Sequence, residues 1–155
     1  RPMRRRWNRW TGMALVLLTV GACGDDDSTG PPVEDPDAIA PFVGTWDAEV
    51  FTVTSDADPS IVADLMENGS FTINVQPSGT YTATLTFGGI PLVEIGEISV
   101  QGDFIILLPN GGEPATSSYE FVRSDYVRLE GPTEFDFNLD GELDPAQAFI
   151  ELQRR

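Results

Sequence analysis

Five side chains with oxygen donors alternate along one short acidic stretch: Asp136, Asn138, Asp140, Glu142 and Asp144. Calcium takes six to eight hard oxygen ligands, and alternation lets one curled loop turn several of them toward one point. Gly141, sixth in the stretch, supplies the bend such a loop needs. The same residues also make a plain turn in which Asp140-Gly141 reverses the chain. Other reactive chemistry is sparse. The 155-residue chain has no histidine and no lysine, and its one thiol is Cys23. Ser-His and Cys-His catalysis, Schiff-base chemistry and the usual zinc sites are thereby excluded. Two carboxylates alone can hydrolyse a glycoside, but these acids fall mostly in turns and no pair is set apart. The chain therefore reads as a non-enzyme. A single cysteine also excludes an internal disulfide.

The acidic stretch resembles the start of an EF-hand-type calcium loop, with three departures. The twelfth position is Gln147 instead of a bidentate glutamate, Pro145 interrupts the second half, and Thr133–Phe137 before it reads as a strand. A calcium-stabilised hairpin loop and a plain acidic turn both remain open. Calcium is the one cofactor the sequence suggests.

Cys23 has a more specific context. Arg4, Arg5, Arg6 and Arg9 form a basic region, and Met13–Val20 form a short apolar one. That apolar run is about half the ~20 residues a helix needs to cross a bilayer. Met3 is read as the initiator, with Arg1 and Pro2 upstream of it. Val20-Gly21-Ala22-Cys23 resembles the lipobox of bacterial lipoproteins: an aliphatic residue, two small residues, then cysteine. The resemblance implies a signal peptide over residues 1–22, cleaved before Cys23. It also implies acylation of the Cys23 thiol with a diacylglycerol carrying chains such as palmitate. Attachment to a membrane through that lipid follows, in the bacterial cell envelope. Gly24, not aspartate, after the cysteine favours the outer membrane over the inner.

All 25 acidic residues lie beyond Cys23, against four arginines there: Arg123, Arg128, Arg154 and Arg155. Such a field repels nucleic acid and anionic head groups. Residues 23–40 are rich in Asp, Pro and Gly and hold almost no large apolar side chain before Ile39. They read as a disordered acidic tether.

Residues 41–155 are enough for one core. Phe71, Ile73 and Val75 alternate with polar residues, as do Tyr81, Ala83, Leu85 and Phe87, and Pro77-Ser78-Gly79 turns between the two runs. This period of two marks half-buried antiparallel strands. Further strands are expected at Thr45–Thr54, Glu97–Val100, Phe104–Leu108, Ser118–Val122, Tyr126–Glu130, Thr133–Phe137 and Gln147–Gln153. Asp58 to Gly69 carries helix punctuation, with Asp58 as cap, Pro59 in the first turn and Gly69 as the stop. The expected fold is all-β: a small up-and-down barrel of eight or nine strands with one short helix, or alternatively a β-sandwich.

Gly44-Thr45-Trp46 opens the first strand and Arg154 ends the last. This pattern resembles the Gly-x-Trp motif of lipocalins and their calycin relatives. The resemblance implies that Trp46 plugs one end of the barrel and that Arg154 (or Arg155) covers it by a cation–π contact. The inward side chains would then include Val50, Phe71, Ile73, Tyr81, Leu85, Ile106, Phe121 and Ile150. A small barrel can be filled by such residues or can hold one small apolar ligand. Two functions are consistent with this: a monomeric barrel binding a small hydrophobic ligand or an envelope protein, or a structural or adhesive surface module with a filled core.

Overall fold

The computed structural model describes residues 37–155. The expected signal peptide, the lipobox residues Val20, Gly21, Ala22 and Cys23, and most of the tether lie outside the described residues. A 3-10 turn at Ala40–Phe42 leads into nine strands: β1 (Gly44–Ser55), β2 (Val62–Asp64), β3 (Gly69–Val75), β4 (Thr80–Phe87), β5 (Ile90–Gln101), β6 (Phe104–Pro109), β7 (Ala115–Arg123), β8 (Tyr126–Phe135) and β9 (Asp144–Arg154). From β3 onward each strand pairs with the next. β1 then pairs with β9 from Trp46↔Arg154 to Ser55↔Ala146. That pairing closes the sheet, so the fold is an eight-stranded antiparallel barrel with β2 as an extra strand, as lipocalin-like patterning predicts. A closed seam excludes the open sandwich.

The count of nine strands is reached differently from the expectation. Tyr126–Glu130 and Thr133–Phe137, read as two strands, form the single β8, which runs through Gly131-Pro132. Pro132 is tolerated because the last β7 pair is Ser118↔Glu130, so β8 is an edge on that side beyond it. The ninth strand is β2, where a helix was expected. β3 accompanies β1 only from Gly44↔Val75 to Asp47↔Thr72, leaving the far half of that β1 edge free. β2 fills it, from Thr52↔Asp64 to Thr54↔Val62, and Leu65 N–H donates to the Phe51 carbonyl at 2.9 Å. Asp58 does cap, but it caps a turn: its carboxylate accepts from the Ser60 N–H at 3.0 Å and the Ser60 hydroxyl at 2.7 Å. An isolated helix of this length is marginal in water, whereas a strand edge supplies partners at once.

Alternation fills the barrel except where bulges shift it. Trp46 and Ala48 face inward, and Glu49 is then an unpaired extra residue between Ala48↔Leu152 and Val50↔Glu151. The bulge reverses parity, so Phe51, Val53 and Ser55 point inward beyond it. One core cluster, around Trp46, Phe42, Ile73, Tyr81, Ile98, Val127 and Leu152, fills the end where β1 starts. A smaller one, around Val53, Leu65 and Ala146, lies toward the other end.

Two glycines set the barrel's corners. A Cβ on Gly96 would stand 2.2 Å from the Leu108 carbonyl oxygen, and one on Gly131 would stand 2.6 Å from that of Thr116. The backbones of β6 and β7 cross where those side chains would be. Gly96→Ala and Gly131→Ala should each destabilise the domain by about 2–3 kcal/mol. Urea unfolding measures this, and a neutral effect at both positions would contradict the corner geometry.

Candidate functional site

The end where β1 starts is shut. Trp46 is 1% exposed, and its indole N–H donates to the Phe42 carbonyl at 2.7 Å. The Arg154 guanidinium carbon lies 4.4 Å from the Trp46 ring centroid. Arg154 also donates to the carbonyls of Val43, at 3.1 Å, and Pro41. Its Nε is buried without a hydrogen-bond partner, leaving the ring face as its electrostatic contact. Arg155 instead pairs with Asp47, so the cover of the plug is Arg154. Phe42 adds an edge-on contact to Tyr119 and a tilted one to Phe121, both at 5.0 Å between centroids.

The opposite end is open on one side. β6 reaches β5 only from Gly96↔Pro109 onward, and β7 leaves β8 at Glu130. The wall is therefore low between β5 and β8. The β4–β5 hairpin stands above it, turned by Gly88 and Gly89, both at positive φ as a two-residue I′ turn requires. The pairs Leu85↔Leu92 and Phe87↔Ile90 lie on the face of this hairpin that continues inward from Tyr81 and Ala83. Phe87, Ile90 and Leu92 are 44, 60 and 50% exposed. Inward-facing apolar side chains left in water at one barrel mouth form a candidate ligand surface.

A single polar pair marks the floor of that mouth. Glu94 sits opposite Ala83, and its carboxylate accepts from the Tyr81 hydroxyl at 2.6 Å. Tyr81 itself is fully buried. Burial first, and then the Glu94 carboxylate, raise the Tyr81 hydroxyl well above the ordinary tyrosine pKa.

The eight sequence-derived interior candidates divide accordingly. Ile73 and Tyr81 are buried in the closed half, where Phe121 and Ile150 pack against the same cluster. Phe71 pairs with Leu85 near the open end. Val50 is on the outer face, turned there by the Glu49 bulge. Ile106 is also outward: Ile105 is in the core and Leu107 packs on it, while Ile106 lines an external groove of about 480 Å³ with Glu97, Ser99, Leu108 and Ile39. Ile39, within the stretch 23–40 expected to be a tether, thus packs on the barrel. Of the mouth residues, Phe87 ends the alternating run that the sequence shows, whereas Ile90, Leu92 and Glu94 carry no such pattern. Gly88-Gly89, a hairpin signal after an alternating run, points to them.

The acidic loop is held by its own backbone. Asp136 accepts from the N–H groups of Asp140 and Gly141 at 3.1 and 2.8 Å. Asn138 accepts from Asp140 at 2.9 Å, and Asp140 accepts from Glu142 at 2.8 Å. Among the described residues no group of three or more acidic side chains converges as metal ligands. Glu142 and Asp144 lie in the same loop and at the start of β9. No helix among the described residues is long and apolar enough to cross a membrane.

The chain matches no protein-family model and no curated protein. It is similar in structure to EF1p2_mFAP2b bound to DFHBI, with a TM-score of 0.50 and 18% identity over 77% of this chain and 98% of that one. A DUF3598-family protein of unknown function from Nostoc punctiforme aligns with a TM-score of 0.41 and 15% identity over 74% of this chain. The alignment spans only 48% of that longer chain. The first likeness shows a shared barrel fold, one that has been solved with a ligand bound.

Two outcomes are expected. A raised pKa means that the stability Tyr81 contributes is intact below the ordinary tyrosine value of about 10 and is lost as pH rises beyond it. In an alkaline absorbance titration, Tyr81 should ionise only as the barrel unfolds; simple titration of all three tyrosines in an intact fold would contradict its burial. Asp136→Ala should lower stability by about 1 kcal/mol, equally in calcium and in chelator. A loss confined to calcium would instead mean that the loop is a cation site.

Proposed function

We propose that this protein is a lipid-anchored lipoprotein of the bacterial cell envelope, attached through Cys23 to the outer rather than the inner membrane. Its monomeric barrel holds a small apolar ligand at the open end and performs no catalysis. The observation that carries the ligand reading is the exposed, inward-facing set Phe87, Ile90 and Leu92 above a solid floor. Exposed apolar side chains on the concave face of a barrel are costly in water, at about 25 cal/mol per Å², and a ligand removes that cost. The likeness to EF1p2_mFAP2b, solved with DFHBI, supports a barrel of this kind accepting a guest. The anchor rests on the lipobox resemblance and the acidic tether.

A filled closed half also favours a second reading, a structural or adhesive module. Native mass spectrometry of the full chain, extracted from membranes in mild detergent, separates the two. The expected result is a retained apolar adduct in addition to an acylated N-terminus. A protein of bare acylated mass would support the structural module. Cys23→Ala should move the protein out of the membrane fraction; continued membrane association would overturn the anchor.

A further inference from the structure

We propose that the open end selects a cationic amphiphile, a molecule with an apolar body and an ammonium-type group, and that Glu94 is the residue that recognises its charge. This rests on the open end being a ligand site and adds the ligand's chemical class. Glu94 is the acidic residue on the inward face of β5, one inward position from Leu92 toward the closed end. Among the described residues its hydrogen-bond partner is the Tyr81 hydroxyl at 2.6 Å, a neutral donor. Among the described residues no arginine lies within ion-pair distance of it.

The four arginines among the described residues are all committed elsewhere. Arg123 pairs with Asp125 at 3.2 Å, Arg128 with Glu151 at 2.8 Å, Arg155 with Asp47, and Arg154 covers Trp46. These residues sit at the end of β7, the start of β8 and the end of β9, which is the closed end. The segments around the open end carry Asp56, Asp64, Glu67, Glu113, Glu134 and Asp144 and no basic residue. The field at the mouth is thus of one sign, and it draws cations while repelling anions. A fatty acid would bring its carboxylate toward Glu94 with nothing to offset the repulsion. An ammonium group there gains a charge-assisted hydrogen bond while its chain covers Leu92, Ile90 and Phe87. The Tyr81 hydroxyl holds one carboxylate oxygen and leaves the other to accept.

Three probes of equal chain length test this on the full chain in detergent-free nanodiscs: dodecylamine, dodecanol and dodecanoate, titrated by calorimetry with empty nanodiscs as the blank. Wild type should bind the amine roughly five- to tenfold more tightly than the alcohol, the ratio a charge-assisted hydrogen bond supplies, and dodecanoate most weakly. Glu94→Gln keeps a partner for Tyr81 and should bring amine and alcohol to equal affinity while leaving alcohol binding unchanged. Leu92→Ser, still folded by circular dichroism, should weaken all three. Equal binding of the three probes by wild type, or a preference for the amine that survives Glu94→Gln, overturns the role of Glu94 while leaving an apolar site. Binding of none of the three overturns the ligand reading itself.

Discussion

The barrel depends on the contact between Trp46 and Arg154. The two residues are cross-strand partners at the seam where the last strand meets the first, so the contact that plugs the barrel is also the one that fixes its closure. The indole is held through its N–H by the Phe42 carbonyl, while the guanidinium lies on its face and ties down the carbonyls of Val43 and Pro41. A slip of one residue at this seam would turn every side chain of β9 to the wrong face. The 3-10 turn before β1 is drawn across the barrel end by the same bonds, which is how Phe42 enters the core.

A barrel shut in this way has its freedom at the other end. The corner glycines Gly96 and Gly131 let β6 and β7 cross close to their neighbours, and both strands run short there. The inward faces of β4 and β5 continue past that low wall. Burial accordingly falls along β4 from Tyr81, which is fully buried, to Phe87, which is 44% exposed. Charge follows the same axis, with arginine pairs at the closed end and unneutralised acids around the open one.

Much of this was legible in residue types. The alternation at Phe71–Val75 and Tyr81–Phe87 runs through uninterrupted ladders, and both strands lie where it predicts. Gly44-Thr45-Trp46 with a terminal arginine pointed to the plug through its resemblance to the lipocalin pattern. Other positions were hidden for physical reasons. Val50 follows a bulge, which local sequence does not announce. Ile106 sits in the continuous apolar run Phe104–Leu108, which has no polar partner to set its parity. The segment 58–69 has helical punctuation, yet the free edge of β1 decided its conformation, and that edge exists only in the tertiary structure. Pro91 concealed the first half of β5, although an edge strand tolerates proline. Phe42, outside any strand, gave no periodic signal.

Hydrogen exchange along the full chain tests the central claim, a rigid closed end opposite a yielding open one. Amides of Trp46, Ile73, Tyr81, Val127 and Leu152 should exchange only through global unfolding, while those of residues 87–95 should exchange orders of magnitude faster. Uniform protection around the whole barrel, or the weakest protection at the Trp46–Arg154 seam, would contradict this account.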